Sequence, residues 1–157
     1  QEHGASKELL LEAADFYRSH IHHVFTVNTL AYLIKGGRLS RFKGGIAETL
    51  DMKPILIVDK NGSLQVLKTV RGRKKTLKAL ADYAAEHCVE PQKQLFSVCH
   101  GEDPESMQFV IDILKDKLHP ADIMVSIVGC AIGAHTGRGI IGVCFLDASE
   151  EKYQDYL

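Results

Sequence analysis

The sequence lacks the features of a membrane protein and of a disulfide-stabilised secreted domain. No apolar run approaches the roughly 20 residues of a membrane-spanning helix, and no signal peptide is visible. The cysteines include no C-x-x-C pair, and three of the four lie in apolar runs, where a reduced thiol behaves as a small hydrophobic group. We therefore expect a cytoplasmic protein without disulfides, with free thiols at Cys88, Cys99, Cys130 and Cys144.

An excess of charge and the usual catalytic motifs are also lacking. The net charge of −1 implies no long-range attraction to nucleic acid. The chain has no Walker lysine, no G-x-G-x-x-G that opens a helix, no G-x-S-x-G and no paired carboxylates. The eight histidines are scattered without metal-ligand spacing, so we predict no metal site.

Hydrophobic periodicity predicts one α+β domain, or a mixed α/β one. A hairpin with its turn at 59–62, beside strand–helix–strand units, indicates roughly six strands in a largely antiparallel or mixed sheet flanked by helices. We predict strands at 22–27, 55–58, 64–70, 95–99, 123–128 and 140–146, and helices at 6–19, 29–35, after Ser40, at 74–88 and from Asp103. Residues 1–147 are assigned to the domain and 148–157 to a charged, frayed tail.

The stretch Gly36-Gly37-Arg38-Leu39-Ser40 is the most informative about function. It follows an apolar helical run, and adjacent glycines end a helix because they adopt left-handed dihedrals without a Cβ clash. An arginine on such a turn presents a planar fork of donors that suits a carboxylate or a phosphate, so Arg38 is a candidate anion clamp. Taken alone, the pentapeptide is more typical of a helix C-cap followed by a solvated arginine.

The segment from Gly129 to Gly139 is a second candidate binding element. Its glycines surround His135 and Thr136, and this spacing predicts a glycine-rich loop whose backbone amides approach an anion. A glycine-rich turn at a sheet end, with a hydrogen-bonded histidine, explains the same residues equally well. His100, at another strand end, is more typical of a histidine that fixes a turn than of an acid–base group.

A basic run, Arg71-Gly-Arg73-Lys74-Lys75, lies at a strand-to-helix junction. Cations oppose the dipole at a helix N-terminus, so a patch kept there could dock an acidic partner. Arg71, Arg73 and Lys74 are the candidate docking residues. A solvated surface is the more common explanation of so short a charge run.

Several segments taken in order carry a family resemblance: FTVNTLAYLIKGGRLS at 25–40, LDMKPIL at 50–56, VRGRKK at 70–75, HGEDPE at 100–105 and IGAHTGRG at 132–139. They resemble the C-terminal domain of the DegV family of bacterial fatty-acid-binding proteins, over roughly residues 1–146. The resemblance implies a two-domain protein that encloses one long-chain fatty acid between its halves. It also implies that the protein hands the carboxylate to a separate fatty acid kinase, and is itself neither an enzyme nor a holder of a cofactor.

The resemblance also assigns site residues. Arg38 and His135 map onto the network around the fatty-acid carboxylate. The family's other carboxylate partners are hydroxyl residues of an N-terminal domain that is absent here. Arg138 replaces the family's usual proline and could add a second cation. The supporting positions are Gly36, Gly37, Gly133, Thr136, Gly137 and Gly139.

Partners and alternative functions complete the hypothesis. The start at Gln1 suggests a fragment, which we expect to fold alone, to bind lipid poorly and to dimerise through its uncovered apolar face. Peripheral contact with a membrane is left open, and no nucleic acid is expected. The alternatives are a small-molecule phosphotransferase subunit that uses His135, or a non-catalytic regulatory module that senses an anion.

Overall fold

The structure is a computed structural model that describes residues 4–39 and 51–156, the side chains of 154 and 155 excepted. The helix predicted after Ser40 lies outside these residues. The helices are α1 (Lys7–His20), α2 (Ala31–Lys35), α3 (Arg73–His87), α4 (Pro104–Leu118) and α5 (Cys130–Thr136). The strands are β1 (Ile21–Thr26), β2 (Met52–Val58), β3 (Leu64–Arg71), β4 (Leu95–His100), β5 (Asp122–Ile127) and β6 (Ile141–Leu146). Short 3-10 helices follow at Pro91–Lys93 and Glu151–Tyr156.

The described strands form one mixed sheet in the order β3-β2-β1-β6-β4-β5. Only the β4–β5 pair is parallel, and α4 connects those two strands. The turn between β2 and β3 contains Asp59, whose carboxylate accepts bonds from the backbone of Asn61 and Ser63. The predicted α+β class with a six-stranded mixed sheet is therefore confirmed.

The two faces of the sheet are covered differently. Helices α3 and α4 pack on one face, where alternate strand residues such as Phe96 and Phe145 join Leu80, Val110 and Leu114 in the main core. The opposite face has a smaller apolar cluster at one end, under α2. None of the helices in the described part of the chain is long and apolar enough to cross a membrane.

The segment after Asp147 is folded, so the predicted frayed tail is wrong. Tyr153 of the last 3-10 helix is 6% exposed, and its ring lies 5.1 Å from that of Phe16 on α1. Tyr17 donates a hydrogen bond of 2.7 Å to Glu150. Sequence patterns missed this contact because the aromatic residues that make it are far apart in the chain. The domain boundary at residue 147 stays a prediction.

Candidate functional site

An apolar cavity of about 420 Å³ lies on the sheet face opposite α3 and α4. Its floor comes from β1, β6 and β4, because every second side chain of a strand points to the same face. Helices α2 and α5 supply the wall at one end. The described floor residues are His23, Phe25, Cys99, Gly142 and Cys144.

His135 lies on a helix, and the predicted glycine-rich loop is therefore wrong. Residues Cys130–Thr136 form α5, whose amides make helical bonds and cannot all point at an anion. The glycine spacing predicted a loop, but only the glycines after the helix, Gly137 at φ +72° and Gly139 at φ +81°, need left-handed backbone. The Thr136 hydroxyl donates to the carbonyl of Ile132 at 2.8 Å, so it caps its own helix.

Gly36 allows the close approach of His135. A Cβ atom built on Gly36 would lie 2.1 Å from His135 Nδ1, so no larger residue fits beside this imidazole. Nδ1 is buried and has no hydrogen-bond partner among the described residues. The ring also lines the cavity. Because Nδ1 is enclosed against Gly36, we expect Nε2 to be the nitrogen that faces a ligand.

Arg38 is exposed and lines the same cavity as His135. The turn that carries it is a helix C-cap: the Arg38 amide donates to the carbonyl of Leu33 at 2.9 Å, and Gly37 has φ +71°. Toward the described residues, the exposed guanidinium donates a bond of 2.8 Å from Nη1 to the Gly36 carbonyl. The helix C-cap and an arginine that lines the cavity thus occur together, and a guanidinium is a donor group that suits a carboxylate.

The loop after α5 is fixed by close packing. A Cβ on Gly137 would lie 2.7 Å from the Tyr32 ring, and one on Gly139 would lie 2.0 Å from Asn28 Nδ2. Arg138, which stands between them, is exposed and pairs with Glu102 at 2.6 Å. The charge of Arg138 is therefore partly neutralised by the Glu102 carboxylate.

Arg73 is a structural residue within the basic run. Its Nη2 donates to Asp103 Oδ2 at 2.8 Å and to the Gly139 carbonyl at 2.6 Å, which ties α3 to the loop after α5. Burial acts to raise the pKa of Asp103, but bonds from Ser106 and Arg73 outweigh it and lower that pKa below its ordinary value. Arg73 is therefore no longer a candidate docking residue, and the exposed Arg71 and Lys74 remain as candidates.

His100 fixes a turn, as its position at a strand end predicted. Its Nδ1 accepts a bond of 3.1 Å from the backbone amide of Asp103, which requires the neutral ring to carry its proton on Nε2. Cys99 lines the cavity while His100 is buried toward the opposite face, so the two do not form a dyad.

The residues of the cavity floor were not predicted as a site, although the alternation of side chains along each strand indicates which residues share that face. Burial raises the pKa of the Cys144 thiol to about 11 and also raises that of Cys99. Burial, with the nearby His22, lowers the pKa of His23. All three groups are therefore uncharged near neutral pH, and the floor suits an apolar ligand. Within residues 4–39 and 51–156, no group of three or more His, Cys, Asp or Glu is placed to hold a metal ion.

Comparison with known proteins decides the family. The sequence model described as "Uncharacterised protein, DegV family" matches residues 1–148. The chain belongs to the DegV family. A DegV domain-containing protein of Clostridium perfringens is 34% identical over 129 residues, which are 82% of this chain and 44% of that protein. A protein of Thermotoga maritima named fatty acid-binding protein is 29% identical over 143 residues, 90% of this chain and 49% of that one.

Solved structures agree with the DegV assignment. A DegV family protein from Ruminococcus gnavus, described with vaccenic acid, has a TM-score of 0.83 at 25% identity and covers 91% of this chain and 51% of its own. The Streptococcus pneumoniae "Fatty Acid Kinase (Fak) B3 protein loaded with linoleic acid" has a TM-score of 0.81 at 20% identity, which shows the fold alone, with coverages of 92% and 51%. The chain spans about half the length of the relatives it matches.

Proposed function

We propose that this protein carries one fatty acid, with the acyl chain in the cavity and the carboxylate at Arg38 and His135. One observation carries the proposal: a guanidinium and an imidazole line one end of a cavity whose other walls are apolar or uncharged. That arrangement matches an amphipathic anion. Neither an apolar ligand without a charge nor a small polar anion would use both parts of it.

The energetics favour such a ligand. Each buried methylene contributes about 0.8 kcal/mol, so a long chain supplies the affinity. A carboxylate removed from water costs several kcal/mol unless it keeps hydrogen-bond partners. Arg38 can offer a charge-assisted fork and His135 an Nε2–H donor, so together they offset that cost. The fatty acids bound by the T. maritima and R. gnavus relatives support the same ligand class.

A second unit is proposed to complete the site. Among the described residues, α2 and α5 cover one end of the cavity face, whereas α3 and α4 cover the other face of the sheet, and the relatives are about twice as long as this chain. We infer that the other half of such a protein closes the cavity and adds hydroxyl donors to the carboxylate. Two copies of this chain joined face to face are the alternative cover.

The protein is proposed to present its ligand to a kinase rather than to react with it. The exposed cations Arg71, at the end of β3, and Lys74, in the first turn of α3, would dock an acidic partner surface. Phosphoryl transfer needs a bound nucleotide and metal, which that partner would supply. A phosphotransferase that uses His135 as its nucleophile would instead form a covalent phospho-adduct, which a labelled phosphate donor detects.

The test is a titration of a fluorescent fatty acid against the 157-residue chain and against the full gene product. We expect tight binding by the latter and weak binding by the chain alone, because half the wall and the hydroxyl donors would be missing. Equal affinities would place the whole site within this chain. No saturable binding by either would contradict the proposed carrier function.

A further inference from the structure

A second cavity, of about 270 Å³, lies further along the same sheet face. It shares Cys144 with the first cavity, and Cys144 lies directly opposite Ser97 across the β6–β4 pair. The two cavities therefore meet over one row of the sheet. A chain that fills the first and continues along the floor enters the second.

The second cavity ends in a polar group. Glu150 is only 9% exposed, and its Oε2 accepts a bond of 2.7 Å from the Tyr17 hydroxyl. Burial and this bond raise the pKa of Tyr17, so the phenol stays a donor to the carboxyl group. Among the described side chains, which exclude those of residues 154 and 155, Tyr17 is the one seen to donate to Glu150, and the Ser97 hydroxyl lines the same cavity.

These groups suit a ligand with a hydroxyl rather than a bare methyl end. Removing water from a carboxyl oxygen costs free energy unless another hydrogen-bond donor replaces the water. An alkyl chain packed against Glu150 would displace water and supply no donor. An aliphatic O–H placed there donates to Glu150 and can accept from the Ser97 hydroxyl. We infer that the second cavity binds the hydroxyl group of a hydroxylated acyl chain, an inference that rests on the proposed fatty-acid carrier function.

The sheet gives the approximate position of that hydroxyl. Gly142 belongs to the first cavity and Leu146 to the second, and these residues are about 14 Å apart along β6. An extended chain advances about 1.2 Å per bond, so this span takes about 11 to 12 bonds. With the carboxylate placed over Gly142, the first residue of β6 that lines the cavity after α5, the hydroxyl lies near carbon 12.

The experiment compares three acids of equal length on the full gene product. Octadecanoate, 12-hydroxyoctadecanoate and 2-hydroxyoctadecanoate compete with a fluorescent fatty acid. We expect the 12-hydroxy acid to bind about tenfold more tightly than octadecanoate, and the 2-hydroxy acid, which matches it in polarity but not in position, to show no such gain. Equal or weaker binding of the 12-hydroxy acid overturns the inference while leaving the carrier function standing. Failure of all three acids to bind overturns both.

Substitutions test whether the preference for the 12-hydroxy acid depends on Glu150. Glu150→Met removes the acceptor at similar volume and should abolish the preference, whereas the same change at the exposed neighbour Glu151 should keep it. Tyr17→Phe should also keep the preference, because it leaves the Glu150 carboxyl group in place. A preference that survives in a folded Glu150→Met protein contradicts the assignment. If that variant does not fold, the comparison of the 12-hydroxy and 2-hydroxy acids on the unaltered protein decides.

Discussion

The two faces of the sheet are built from different residues although they share the same strands. The face under α3 and α4 presents large apolar side chains, and Phe96, Val98 and Val143 are completely buried there. The cavity face presents His23, Cys99, Gly142, Cys144 and Ser97 at the alternate positions. Stability is therefore concentrated on one face, and the other is left free to hold a ligand.

The largest expected effect is a difference in folding stability between substitutions on the two faces of the sheet. Leu114→Ala on α4 removes a fully buried side chain and should lower the free energy of unfolding by about 2–5 kcal/mol. Cys144→Ala, on the cavity floor, should cost much less, because one side of that thiol faces a cavity. Urea unfolding of both variants measures the difference, and similar losses would contradict the proposed division between the faces.

The next effect concerns the anion clamp. Arg38→Ala or His135→Ala should weaken fatty-acid binding by about 1.5–3 kcal/mol, the value of a charge-assisted hydrogen bond, with little change in unfolding. Arg38→Lys should restore only part of the loss, because lysine lacks the bidentate fork. Competitive titration on the full gene product measures these affinities. Unchanged binding and acyl transfer in both alanine variants would refute the clamp.

A smaller effect distinguishes the two adjacent glycines. Gly36→Ala would place a methyl group against His135 and should displace the imidazole, so binding falls. Gly37→Ala meets open space but forces alanine to φ +71°, which should cost about 1 kcal/mol of stability and leave His135 in place. Binding and thermal unfolding measured on both variants check this. Equal binding losses would show that the Gly36 contact has no special role.

The smallest effect is expected at the proposed docking surface. Reversing the charges of Arg71 and Lys74 should raise the apparent KM of the carrier in a kinase assay without changing lipid occupancy, and added salt should mimic the defect. Arg73→Ala is the contrast, because its bonds to Asp103 and Gly139 predict lost stability instead. A KM insensitive both to salt and to charge reversal would leave the patch as a solvated surface.

Much of this molecule follows from sequence, and the exceptions have physical causes. Period-2 alternation and turn residues predicted the described strands, because those signals are local. The segment around His135 was predicted as a loop, because glycines at 129, 133, 137 and 139 suggest irregular backbone, yet residues Cys130–Thr136 form a helix with glycines at both of its ends. The contact of His135 with Gly36 joins segments about 100 residues apart, and no local pattern encodes it. The cavity floor is likewise a property of strand register.

The most direct test is a crystal structure of the full gene product with octadecanoate bound. We expect the carboxylate within hydrogen-bond distance of the Arg38 guanidinium and His135 Nε2, with the acyl chain crossing the floor over Gly142 and Cys144. A fatty acid bound with its carboxylate away from both residues, or bound outside this sheet face, would contradict the proposed carrier site.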